Sequence, residues 1–254
     1  MARYYYEDSR WPWRPDSFLR RFLKKHRKQR RQRKKLRALD LGMGYGRNAL
    51  WLAEQGFEVE AWELDRRYVA EARREAKRRG VELADRLADN SPGPEGVLCS
   101  RRGDFTRARP RAPYEVIVIS NALHHVRRSQ ALRVLRRGRR ALAPGGLLFL
   151  LVKLTRDRYF RLRRQDPNWE PVPGERNTLR RVRGPAEYRC WRGRRKRRES
   201  LLSALEPAEV RRALRGLQFR HYRETVLRSE WERPTVTHHV AEMVAQKPEK
   251  GRPR

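Results

Sequence analysis

The chain has only two cysteines in 254 residues, Cys99 and Cys190. They are too distant in sequence for metal-ligand spacing and too few for a disulfide framework, which fits a reducing compartment. No apolar run approaches the ~20 residues of a membrane span, and the N-terminus lacks the basic-then-apolar order of a secretory signal. A soluble, cytoplasmic protein with no membrane contact and no metal is therefore expected. Acidic residues are scarce as well, with 30 Asp and Glu against 64 Lys and Arg, a formal charge of +34. That excess is far beyond what solubility asks of a small domain, so an anionic partner is a candidate. A coding bias toward arginine is the competing explanation; it accounts for arginine over lysine more readily than for basic over acidic.

What the chain does have is a glycine-rich loop after an apolar strand: Leu39-Asp40-Leu41-Gly42-Met43-Gly44-Tyr45-Gly46-Arg47-Asn48. Glycines at 42, 44 and 46 permit positive φ and leave no Cβ between backbone and ligand. A second strand, Val59 to Asp65, ends in acid about twenty residues on, where Glu63 is placed to accept ribose hydroxyls. A dinucleotide loop asks for a third glycine where this chain has Arg47. Asp40 at the strand end repels a pyrophosphate and attracts an ammonium group. The charges suit S-adenosylmethionine, with its ammonium, sulfonium and ribose, better than NAD.

These residues, together with Gly103-Asp104-Phe105, the run Glu115 to His125 and Leu142-Ala143-Pro144-Gly145-Gly146, resemble the class I S-adenosylmethionine-dependent methyltransferases. Gly46 to Ala53 and Gly56 to Val59 look like the branch that includes tellurite-resistance-type enzymes. The resemblance covers roughly residues 36 to 152 well and the tail loosely. It implies an α/β, Rossmann-like fold, a mostly parallel seven-stranded sheet with helices on both faces. It also implies that Asp40, Gly42, Gly44 and Gly46 surround the methionine part of the cofactor, Glu63 the ribose, Asp104 and Phe105 the adenine, and Asn121 the donor–acceptor junction, with Leu64 also among the cofactor-binding residues. Glu115 departs from the family's usual aspartate at the start of its strand. Asp104 has an alternative as a turn or helix cap.

Along the chain, residues 1–35 read as an aromatic and basic arm whose rings pack on the domain or, alternatively, stack on bases, with a helix from Phe18 to Leu36; the resemblance implies that Tyr4, Tyr5 and Tyr6 help to cover the site. Residues 36–254 then form the methyltransferase domain. Helices are expected over 48–55, 66–79, 128–142 and from 206, and strands at 97–99, 115–119, 147–152, 218–227 and 236–246. Residues 155–200 show no regular pattern and read as a basic insertion, either a lid or substrate-recognition segment or a disordered loop. His124 and His125 follow the most apolar strand; His124 is a candidate base on the acceptor, because an imidazole titrates near neutrality, with a structural or substrate-shaping role as the alternative.

The function expected is methyl transfer by direct displacement to a small-molecule acceptor. Two alternatives stand beside it: methylation of RNA or another polyanion, contacted through 24–35 and 192–198, and a non-catalytic nucleic-acid-binding module that keeps the fold.

Overall fold

The computed structural model describes residues 13–28, 36–87, 96–110, 113–182, 200–229 and 236–249. Tyr4 to Tyr6, the basic run from 29 to 35 and the cluster 192–198 lie outside them. After α1 (Ser17–Lys28) the chain alternates β1 (Arg37–Leu41), α2 (Arg47–Glu54), β2 (Glu58–Glu63), α3 (Arg66–Arg78), β3 (Glu82–Leu83), β4 (Val97–Arg102), β5 (Tyr114–Ser120), α4 (Arg128–Ala141) and β6 (Leu142–Lys153). There follow α5 (Arg158–Arg163), β7 (Trp169–Pro171), β8 (Thr178–Arg181), β9 (Leu201–Ser203), α6 (Pro207–Ala213), β10 (Gln218–Ser229) and β11 (Val236–Gln246).

The main sheet has eight strands, in the order β10-β11-β6-β5-β1-β2-β4-β3. All its pairings are parallel except β10 with β11 and β11 with β6. The expected count of seven is corrected by β3, a two-residue strand beside β4; two residues are too short to leave a periodicity. The sheet's two faces are read out by alternation. On β5, Ile117 and Ile119 point into one core with Leu39, Leu148 and the inner stripes of α4 and α6. Val116 and Val118 point into the other, with Phe149 and the buried faces of α2 and α3. Successive side chains are thus apolar on both sides, as a strand covered by helices on both faces requires.

The N-terminal helix α1 packs on this second core through Phe18, Leu19 and Leu23. Phe18 lies 6.0 Å, ring to ring, from Phe149. Residues 155–182 are more regular than their sequence implies: α5 and the strands β7 and β8, with β9 beyond, surround a small core of Tyr159, Phe160, Trp169, Leu179 and Leu202. Strands of three or four residues carry too few alternations to be legible, and their apolar residues are spread over a long segment.

The chain leaves β1 toward β2 on one side and reaches β5 on the other. Ligands in open α/β sheets bind where the strand order reverses, outside the carboxyl ends. Here that point is the gap between the loops after β1 and β5, the place of Gly42 to Gly46 and of Asn121.

Candidate active site

The loop after β1 is bound down by its neighbour strand, since the N–H groups of Gly42 and Met43 both donate to the Trp62 carbonyl, at 2.9 and 3.1 Å. Gly42, Gly44 and Gly46 all take positive φ. Their reasons differ. A Cβ on Gly42 would lie 2.5 Å from the Ala122 Cβ, whereas one on Gly44 would meet nothing within 4 Å. Gly42 is therefore glycine for packing against the β5 loop, and Gly44 leaves its space open on the ligand side.

Glu63, at the end of β2, holds this loop electrostatically. Its carboxylate accepts from Gly44 N at 3.0 Å, Leu64 N at 2.7 Å and Asp65 N at 2.9 Å. Burial raises its pKa against the pull of those three donors. Asp65 is the N-cap of α3, accepting from Arg67 N.

Asp40 is 2% exposed, and its Oδ2 has no hydrogen-bond partner. Desolvation, with the charges of Asp16 and Glu63 against that of Arg47, pushes its pKa up to about 7. A buried carboxyl oxygen without a hydrogen-bond partner is costly, even with the charge of Arg47 acting on it. Arg47 reaches the Asp16 carboxylate at 2.7 Å and Ser120 Oγ at 3.4 Å. Asp16, fully buried, also accepts from Asn48 Nδ2 and donates its N–H to Asn48 Oδ1, both at 2.9 Å. This pairing fixes the segment before α1 over the start of α2. The sequence reading missed it, because two polar residues 32 apart carry no local signal.

After β5, Asn121 has φ +53, a strained conformation for a side-chain-bearing residue, and a buried Oδ1 without a partner. His124 is 8% exposed, and its Nδ1 is likewise unpartnered. It stacks on His125 with ring centroids 3.9 Å apart. Burial and nearby positive charge lower both imidazoles, His125 to about 4 and His124 well below its usual value. Both are neutral at physiological pH, and such weak bases favour the substrate-shaping alternative over general base. Glu115 points elsewhere: it accepts from Arg37 N at 2.8 Å, at the opposite end of the sheet.

A cavity of about 340 Å³ brings together Leu64, Asp104, Phe105 and His124 of the expected site residues, whereas Asp40, Gly42, Gly44, Gly46, Glu63 and Asn121 are not among its lining. Leu64, Asp104 and Phe105 line one end, and His124, His125, Lys153, Tyr159, Trp169, Leu201 and Leu202 are among the residues of the other. Asp104 also caps the following turn, accepting from Thr106 N and Oγ1 at 2.9 and 2.7 Å. The sequence reading found the first end. At the second it had His124, His125 and, as a segment, 155–200; it missed Lys153, whose one local signal was a lysine closing the apolar run of β6. Among the described residues no cluster of potential metal ligands occurs, and no helix is long and apolar enough to cross a membrane.

A methyltransferase-domain family model matches residues 11–220. No curated protein matches the sequence significantly. Among solved structures, a methyltransferase from Methanosarcina mazei superposes with a TM-score of 0.63 at 15% identity, over 93% of this chain and all of its own. TehB from Haemophilus influenzae superposes with 0.56 at 14% identity, over 91% of this chain; the chain spans just under two thirds, 66%, of TehB. The 1,6-didemethyltoxoflavin-N1-methyltransferase of Burkholderia thailandensis gives 0.54 at 18% identity, over 96% of this chain and 84% of its own. At these identities the structural likeness is one of fold. With the family model spanning most of the sequence, and a glycine loop, an acidic β2 end and a switch-point cavity arranged on that fold, the chain belongs to the class I S-adenosylmethionine-dependent methyltransferases, with S-adenosylmethionine as cofactor.

Proposed function

We propose that the protein methylates a small-molecule acceptor held in the far half of the cavity. The observation that carries this reading is the cavity itself: its acceptor end is walled by Tyr159 of α5 and by Trp169, Leu201 and Leu202 of the small second sheet, around a space of small-molecule size. The Burkholderia enzyme, whose structure holds 1,6-didemethyltoxoflavin and S-adenosylhomocysteine, is consistent with such use of the fold.

The residues present fit the cofactor. The unpartnered Oδ2 of Asp40 is a receptor for its ammonium, and Gly44 gives it bare backbone. Glu63 takes the ribose hydroxyls, Leu64 packs beside them, and Asp104 and Phe105 border the adenine end. Gly42 and Gly46 shape the loop, and Asn121 stands at the junction with the acceptor. When bound, the cofactor supplies an electrophilic methyl group on a sulfonium, and the acceptor's nucleophile takes it with the bonding electrons left on sulfur. The protein's contribution is alignment and exclusion of water, and positioning of this kind supplies several kcal/mol. Neutral His124 and His125 shape the acceptor's place.

The test has two arms. Calorimetric titration of nucleic-acid-stripped protein with S-adenosylmethionine is expected to give one site per chain, weakened by Glu63→Ala; unchanged affinity in that variant refutes the ribose assignment. With tritiated methyl donor, label is expected to move into the low-mass fraction of a mixed metabolite and RNA extract. Label in the RNA instead establishes the polyanion reading that the +34 charge suggests, and binding without any transfer establishes the non-catalytic one.

A further inference from the structure

The helices α3 and α4 cover opposite faces of the sheet and carry equally many cations: five arginines and a lysine on α3, six arginines on α4. Their carboxylates differ. On and beside α3, Arg67 pairs with Asp65 at 2.7 Å, Arg74 pairs with Glu71, and Glu75 takes both Arg78 and Arg79 at 2.6 Å. Helix α4 contains no acid. Among the described residues, Arg128 alone of its arginines meets a carboxylate, Glu209 of α6.

The exposed residues of α4 are Arg133, Arg136 and Arg140. Offsets of three and four place them on one face, in a stripe about 10 Å long. A coding bias toward arginine acts on α3 and α4 alike and does not strip the acids from one of them. The pull of a helix C-terminus on cations accounts for Arg139 and Arg140 in the last turn. It does not account for Arg133 and Arg136 in the middle, where like charges three apart repel.

The stripe widens toward its end. Arg139 donates to the Arg215 carbonyl at 2.6 Å, which sets the last turn of α4 beside the end of α6, where Arg211, Arg212 and Arg215 are exposed. Lys247 Nζ donates to the Leu142 carbonyl at 2.6 Å and adds a further cation. The acids nearest in the fold are already used. Glu209 holds Arg128 and shares a capping box with Glu206 at the start of α6, Glu175 accepts from Ser129 in the first turn of α4, and Glu224 on β10 takes Arg156.

We infer that the exposed face of α4, extended by the end of α6, is a docking surface for the phosphate backbone of a nucleic acid. A planar guanidinium meets phosphate oxygens with two parallel hydrogen bonds, and a row of them answers the regular charge of a backbone. Among the described residues the exposed large apolar side chains are Leu162, Val182 and Val226, all away from these two helices. The face therefore has nothing to sink into a lipid surface and no apolar centre for a protein partner. Arg133, Arg136 and Arg140 do not line the cavity, so the inference stands whatever acceptor the cavity takes.

The experiment titrates the full, nucleic-acid-stripped chain by fluorescence anisotropy against a labelled single-stranded RNA of about 20 nucleotides and a DNA duplex of about 20 base pairs, between about 50 and 300 mM salt. Wild type is expected to bind at least one probe, with an affinity that falls steeply as salt rises. The triple variant Arg133→Gln, Arg136→Gln, Arg140→Gln costs the helix little. Its affinity at about 100 mM salt is expected to be about tenfold or more weaker, and its log–log salt slope smaller by about 2, from three phosphate contacts at about 0.7 each. The control Arg66→Gln, Arg74→Gln, Lys77→Gln removes as many charges from exposed positions of α3 and is expected to bind within about twofold of wild type. Equal losses in the two variants, no loss in the α4 variant, or no retention of either probe at about 50 mM salt overturns the inference. Flotation with phosphatidylserine vesicles in place of nucleic-acid binding assigns the face to a membrane and overturns it as well. Should the triple variant fold poorly, Arg136→Gln alone decides, through a slope smaller by about 0.7 or unchanged.

Discussion

Asp40→Asn separates the cost of the apo site from its use. The substitution keeps shape and removes only the charge from a side chain that is 2% exposed and has an unpartnered oxygen. The pKa of Asp40 rises from 3.8 to about 7, about three units, or about 4 kcal/mol at 1.36 kcal/mol per unit. Because the folded value lies above the unfolded one, the neutral form is favoured on folding. The penalty is absent below pH 3.8, grows as pH rises, and is complete above about 7. That figure is a ceiling, since water and side chains relax around a charge. A gain of about 1–3 kcal/mol for the apo variant at pH 8 is expected, seen in urea melts as a higher midpoint at unchanged slope. The same variant is expected to bind S-adenosylmethionine about 100-fold more weakly, close to 2.7 kcal/mol, having lost the anion that receives the ammonium. Wild-type affinity is expected to rise about eightfold from pH 6 to 7.5 as Asp40 gives up its proton, and the variant's to stay flat. An Asp40→Asn protein that is less stable than wild type at pH 8 and binds the cofactor within about threefold of wild type refutes the argument.

Two further outcomes are expected. Gly42→Ala places a Cβ 2.5 Å from the Ala122 Cβ at φ +78, while Gly44→Ala meets no atom at φ +56; the first is expected to lose about 2–4 kcal/mol of stability and the second only about 1 kcal/mol, yet to bind cofactor poorly, as thermal melts with and without S-adenosylmethionine will show. His124 and His125 have folded pKa values below the ordinary imidazole value of 6.5; the stability they cost therefore appears as pH falls through 6.5, and their NMR ring signals are expected to remain those of neutral imidazole at pH 5.5.

How much of this was legible in the sequence follows from where each signal is stored. The loop Gly42 to Gly46, the acid at Glu63 and the order of helices and strands are local: glycine spacing, a strand-end carboxylate and periods of 2 and 3.6 residues lie within windows of a dozen residues. These set the fold, and the expected helices over 48–55, 66–79 and 128–142 fall within a residue of α2, α3 and α4; of the cavity, Leu64, Asp104, Phe105 and His124 were named from such local signals. Most of the rest was decided by tertiary structure. Lys153, Tyr159, Trp169 and Leu202 come from separate elements and meet because β8 pairs β9 across a long connection, and pairing between distant short strands leaves no periodicity to read. The pairing of Asp16 with Asn48 and Arg47 is of the same kind. So is the state of Asp40: its identity is written in the sequence, but the burial that raises its pKa to about 7 belongs to the packed molecule, since desolvation is a property of surroundings and not of a residue.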